Sequence, residues 1–223
     1  MENIANNLIF LLANITKIAN TIGREPTSIK LLAVSKGQSL EKIKTAIFAG
    51  QFAFGENYLQ EALPKIDALK NNPEFANFNL EWHFIGHIQH NKTRSIAENF
   101  QWVHSVDNIK TAQRLNSQRP DYLPPLNICI AINQSGIKTR SGISLAALPE
   151  LIFAIQSMPH LRLRGLMTMI TDDYPQVGQA FCGLQAQGVA IDTLSMGMSQ
   201  DYAIAIANGA TLVRIGTAIF GER

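Results

Sequence analysis

Cysteine is nearly absent. Cys129 and Cys182 stand far apart in 223 residues and fall in no metal-binding or redox spacing. Two buried thiols in a reducing cytosol are expected, with neither a disulfide nor a zinc site. An excess of one charge is missing too: the formal net charge is +2 and like charges form no block. That removes the electrostatic footprint of a nucleic-acid binder and the usual charged tails. No apolar run is long enough to span a bilayer, and Met1-Glu2-Asn3-Ile4 lacks the basic and apolar regions of an export signal. The expectation is a soluble, cytoplasmic chain forming one domain with a sizeable core.

What is present alternates. Leu8, Leu11, Leu12, Ile15, Ile18 and Ile22 repeat with a helical period from Ile4 to Ile22, and Gly23 and Pro26 end that helix. Short apolar runs follow, at 31–36, 52–55, 82–86, 102–106, 126–132, 163–169, 193–196 and 212–216. Helical patterns separate each from the next. Alternating strands and helices mean a parallel sheet with crossover helices. Eight such units at this length suit a closed (β/α)8 TIM-type barrel, a single domain (1–223) preceded by an N-terminal helix (1–22) packed on it. A doubly wound open sheet is the other arrangement. It needs an early phosphate loop, and no G-x-G-x-x-G or G-x-x-x-x-G-K-[ST] follows the first strand.

The first strand, Leu31 to Lys36, ends on a single lysine before the turn formers Gly37-Gln38-Ser39. Desolvation at a buried strand end disfavours an ammonium, and a free amine attacks carbonyls; the plainer alternative is a lysine that snorkels into solvent. In a barrel the C-terminal strand ends share the face that carries chemistry. Those ends gather Lys36, Glu56, Asn57, Gly86, His87, Ser105, Asp107, Asn133, Ser195, Arg214 and Gly216. Ser195-Met196-Gly197-Met198-Ser199 and Arg214-Ile215-Gly216-Thr217 place glycines and hydroxyls after the seventh and eighth strands, where backbone N–H groups hold phosphates. Ordinary turn glycines, with Ser199 capping the next helix, are the alternative. A phosphate site, a lysine on another strand and an arginine between them suggest pyridoxal 5'-phosphate. Lys36 would form the imine, Ser195, Gly216 and Thr217 would hold phosphate, and Arg214 would face the ring nitrogen.

From Leu31 to Arg223 the chain resembles the pyridoxal phosphate homeostasis protein family, single-domain relatives of the alanine racemase barrel. Ala33-Val34-Ser35-Lys36, Phe54-Gly55-Glu56-Asn57-Tyr58, Trp82-His83-Phe84-Ile85-Gly86, Val103-His104-Ser105-Val106-Asp107, Leu194 to Ser199 and Arg214 to Gly221 carry the resemblance. It implies a barrel holding pyridoxal phosphate on Lys36, with Asn57 in contact with the cofactor, a role in keeping free pyridoxal phosphate in balance, and no established turnover. The chain departs from the family after the fifth strand. Between Asn133 and Gly142, Ile137 replaces a usual Glu and Arg140 a usual Lys.

A weak racemase-like activity is the enzymatic alternative. Racemases of this barrel need a second base, a tyrosine from an additional β domain of the partner subunit. The chain stops just after its last barrel strand, and Tyr58, Tyr122, Tyr174 and Tyr202 fall at no expected strand end. A carrier or buffer of the cofactor is therefore favoured, expected as a monomer because nothing marks an interface, with apo-enzymes as candidate recipients. An inactive barrel serving only protein interaction is a third reading, under which Lys36 is dispensable. His83, His87 and His90 form an H-x3-H-x2-H pattern, but no H-E-x-x-H accompanies it, and residues near the site mouth are favoured over metal ligands. Glu56 is read as a loop anchor before a general base.

Overall fold

The computed structural model describes residues 4–222, so three residues of the expected N-terminal helix and the terminal arginine lie outside the described residues. Eight strands run in chain order: β1 (Lys30–Val34), β2 (Ala53–Glu56), β3 (Glu81–Phe84), β4 (Trp102–Val106), β5 (Leu126–Ala131), β6 (Leu161–Met167), β7 (Thr193–Ser195) and β8 (Leu212–Ile215). Each pairs in parallel with the next, and β1 pairs with β8, closing the barrel. The open-sheet alternative is thereby excluded. Helix α1 (Ile4–Thr21) precedes β1, and α2 (Leu40–Phe48), α3 (Leu59–Lys70), α4 (Thr93–Asn99), α5 (Ile109–Gln118), α6 (Leu148–Gln156), α7 (Tyr174–Ala186) and α8 (Tyr202–Ala207) link the strands. A further short helix, α9 (Thr217–Phe220), follows β8.

Two sets of buried side chains explain the strand pattern. On one side of each strand, residues such as Phe54, Phe84, Val103, Leu194, Val213 and Ile215 join the helices in one large core. The other side faces the barrel axis, where Leu32, Val34, Ala53, Ile85 and Leu212 form one cluster. Trp102, Cys129, Ala131, Met167 and Met169 form a second cluster across the axis. With both faces covered, the strands read as continuous apolar runs. The alternation still decides which residues point inward. Lys36 shares the parity of Leu32 and Val34, two residues beyond the end of β1.

Helix α1 buries Ile4, Leu8, Leu11, Ile15 and Ala19 against the barrel's outer layer. Each fully buried large side chain there contributes about 1.5–3 kcal/mol. The Asn7 amide also donates to the Ile219 carbonyl at 3.0 Å, and Lys42 of α2 donates to the Phe220 carbonyl at 2.9 Å. These two bonds fix α9, and with it the segment just after β8. The starts of α2 and α5 follow from capping: Ser39 accepts from the Lys42 N–H and Asn108 from the Thr111 N–H.

Candidate functional site

The C-terminal mouth of the barrel holds a cavity of about 490 Å³. Lys36, Asn57, Arg214, Gly216 and Thr217 all line it, so five of the six residues expected to bind cofactor meet at one place. They come from the ends of β1, β2 and β8. Ser199 lines it too, whereas Ser195 is fully buried and does not. A cavity of about 520 Å³ opens elsewhere, beside Arg162, Arg164 and Asp192 at the N-terminal ends of β6 and β7. It has no primary amine and no glycine loop among its lining residues.

Arg214 is a buried guanidinium held by neutral acceptors. Its Nη1 donates to Ser195 Oγ at 2.8 Å and its Nη2 to the Thr168 carbonyl at 2.9 Å. Burial lowers its pKa from the ordinary guanidinium value, yet a guanidinium keeps its charge at neutral pH. The Ser195 hydroxyl is thus committed to Arg214 and, at 2.8 Å, to His104 Nδ1. This differs from the expected phosphate contact, because inward parity at the end of β7 points Ser195 at the axis. The hydroxyls at the cavity wall are those of Ser199 and Thr217.

The loop after β7 is shaped by its own bonds. Gly197 adopts φ +96°, a left-handed backbone that glycine takes without strain. Its N–H donates to the Tyr174 hydroxyl at 3.1 Å, and Tyr174 in turn donates to Asp201 Oδ2 at 3.1 Å. Asp201 also accepts from the Met198 N–H at 2.6 Å and from Thr171 Oγ1 at 2.8 Å. Asp201, not Ser199, occupies the N-cap position of α8. Ser199 is left at the cavity. After β8, the Ile219 and Phe220 N–H groups of α9 both donate to the Gly216 carbonyl at 2.9 Å, and Thr217 at its start lines the cavity.

Asn57 is placed by a close backbone approach. A methyl group on Gly86 would lie 2.2 Å from the Asn57 carbonyl oxygen, so only glycine fits there. Ser105 donates to the Gly86 carbonyl at 2.5 Å and holds the crossing from the other side. The Asn57 Oδ1 is buried without a hydrogen-bond partner in the described structure. Glu56 points the opposite way, to the outer layer. It is fully buried and accepts from Ser35 Oγ at 2.7 Å and Lys65 Nζ at 2.8 Å, while Lys65 also donates to the Ser35 carbonyl at 2.9 Å. Glu56 thus clamps the turn just before Lys36, as a loop anchor does. Burial pushes its pKa up, against the pull of Lys65 and Ser35.

Sequence reasoning missed Lys65. The signal was available: Lys65 falls between Ala62, Ile66 and Leu69, the buried stripe of α3. His83, His87 and His90 do not gather. His83 is inside the barrel, His87 bonds Ser141 at 2.8 Å, and His90 opens the turn before α4. Among the described residues no cluster of metal-ligating side chains forms. Asn133 closes its own loop, donating to the Ile137 and Arg140 carbonyls, and lies outside the cavity wall.

Known proteins are similar to this chain in sequence and fold. Residues 7–223 match the family model described as alanine racemase, N-terminal domain. The chain is 49% identical over its full length to a pyridoxal phosphate homeostasis protein of Pseudomonas aeruginosa, covering 97% of that protein. It is 48% identical to the Escherichia coli protein of the same name, covering 98% of it. Among solved structures, PipY of Synechococcus elongatus with PLP bound superposes with a TM-score of 0.81 at 32% identity, covering 98% of this chain and all of that one. An alanine racemase of Corynebacterium glutamicum shares the fold at 19% identity and a TM-score of 0.67, this chain spanning 60% of its length. The chain therefore belongs to the pyridoxal phosphate homeostasis protein family, within the alanine racemase N-terminal domain fold.

Proposed function

We propose that this protein binds pyridoxal 5'-phosphate at the mouth of its barrel and serves as a carrier or buffer of that cofactor. The observation that carries the reading is the meeting of Lys36, Arg214 and the two loops of glycines and hydroxyls on one cavity of about 490 Å³. The residues present fit the group. Among the described residues Arg214 has no carboxylate as a hydrogen-bond partner and suits a neutral ring nitrogen, and the buried Asn57 Oδ1 has no donor. When bound, pyridoxal phosphate supplies an aldehyde that links reversibly to a primary amine. Lys36 offers that amine. Ser199, Gly216 and Thr217 would hold the phosphate, where sequence pointed to Ser195 with Gly216 and Thr217, and Ser195 carries Arg214.

Storage is favoured over turnover by what surrounds Lys36. Among the described residues lining the cavity, the titratable side chains are Lys36, Arg214 and Glu222. Tyr58 stands two residues beyond β2 and lines a smaller neighbouring cavity of about 190 Å³. A permanent positive charge at the ring nitrogen opposes its protonation and weakens the ring as an electron sink. No helix among the described residues is long and apolar enough to cross a membrane. We place the protein in the cytoplasm as a monomer that passes its cofactor to apo-enzymes. The test is to mix loaded protein with a cofactor-free transaminase, in parallel with an assay of alanine and serine enantiomers. Reactivation of the transaminase without racemisation is expected. Racemisation at an ordinary enzymatic rate would reverse the reading.

A further inference from the structure

A column of polar side chains runs along the barrel axis between the two apolar clusters. At the N-terminal end, Lys30 and Glu81 form an ion pair, their side chains 43% and 33% exposed. Glu81 Oε2 lies 3.5 Å from His83 Nε2, which has no hydrogen-bond partner among the described residues, so this contact is one of charge rather than a formed hydrogen bond. Deeper in, His83 Nδ1 is 2.9 Å from His104 Nε2, and His104 Nδ1 is 2.8 Å from Ser195 Oγ. Arg214 completes the column at the cavity. His83, His104 and Ser195 are all completely buried.

Only one direction of donation gives the Ser195 hydroxyl proton an acceptor among these groups. Arg214 can only donate, so Ser195 accepts from it and gives its own proton to His104 Nδ1. His104 then carries its proton on Nε2 and donates to His83 Nδ1. His83, accepting on Nδ1, carries its proton on Nε2, which faces the Glu81 carboxylate at 3.5 Å. In the reverse direction a ring lone pair would face that carboxylate. A doubly protonated His104 would donate to Ser195 as well and leave the hydroxyl proton with no acceptor among these groups. Neutral rings agree with burial, which brings His83 down to about 4 and His104 well below its usual range. The other groups facing them are Lys30 from β1, Arg214 from β8 and the Trp102 ring, stacked on His83 at 5.2 Å.

We propose that His104 is a positioning residue for Arg214: backed by His83 and Glu81, it fixes the Ser195 hydroxyl and so aims the free edge of the guanidinium at the cavity. The proposal rests on the pyridoxal phosphate reading for what Arg214 meets there. Through this column the far end of the barrel sets how the ring nitrogen is held.

Two measurements test it. Histidine-¹⁵N-labelled protein without cofactor, studied by two-bond ¹H–¹⁵N correlation at pH 7, should show both buried rings neutral and protonated on Nε2. A ring protonated on Nδ1, or on both nitrogens, would overturn the proposal. In loaded protein, His104→Gln and Ser195→Ala should each weaken pyridoxal phosphate binding roughly tenfold and shift the pH midpoint of the bound cofactor's visible-edge absorption, with the double variant no worse than either single one. Folded variants with wild-type affinity and midpoint would overturn it as well. Wild-type protein that binds no pyridoxal phosphate would defeat the cofactor reading instead, and the tautomer experiment would still decide the column.

Discussion

Acid should loosen this protein well above the pH at which its carboxylates protonate, because two imidazoles are buried neutral. In the unfolded chain His83 titrates near 6.5, and in the folded barrel near 4. Between those values the unfolded state binds more protons, so stability falls as pH falls, and the loss is complete below the folded value. Moving one group from 6.5 down to about 4 corresponds to about 3 kcal/mol. His104 acts in the same direction. Glu56, held above its usual range, acts oppositely, whereas Glu81, held at about 2, adds a loss only below the ordinary carboxylate range. Near pH 5.5 the His83 contribution gives a slope of roughly 1 kcal/mol per pH unit. Urea unfolding midpoints of wild type and His83→Asn, taken from pH 7.5 to 4.5, measure it. The variant should start less stable and vary less with pH. A wild-type curve that is flat over this range, or parallel to that of the variant, would refute the reasoning.

Other perturbations have equally definite outcomes. Lys65→Met leaves the Glu56 carboxylate buried and unpaired, and should cost about 3–5 kcal/mol in urea unfolding at pH 7. Adding Glu56→Gln should return much of that loss. Gly86→Ala forces a methyl against the Asn57 carbonyl oxygen; a cost of about 1–3 kcal/mol and weaker pyridoxal phosphate binding by fluorescence titration are expected. Tyr174→Phe leaves the Gly197 N–H and one side of Asp201 without a partner. That should destabilise the fold by about 1–3 kcal/mol and lower cofactor affinity, with little change in binding if the loop after β7 does not touch phosphate.

Much of the barrel is legible in the sequence because each strand is a short apolar run bounded by turn formers and followed by a helical period. Boundaries moved by a residue or two where polarity misleads. β6 begins at Leu161, where Arg162 interrupts the apolar run that starts afresh at Leu163. α9 is too short to show a helical period at all. The mouth residues Lys36, Asn57, Arg214, Gly216 and Thr217 follow from reading strand ends, since a closed barrel puts those ends together. Direction is the harder property. Ser195 and Glu56 both lie at strand ends, yet one points to the axis and the other to the helices, and only the inward parity of Arg214 or Gly55 separates them. The pairing of His83 with His104 depends on the register between β3 and β4, which apolar strands leave unmarked.

The most direct test of the account is the absorption spectrum of the purified protein with pyridoxal phosphate, beside Lys36→Ala, before and after borohydride. Wild type should absorb near the visible edge, lose that band on reduction, and carry the cofactor on the peptide containing Lys36. A protein that stays colourless with added pyridoxal phosphate, or that carries the reduced label on another lysine, would contradict it.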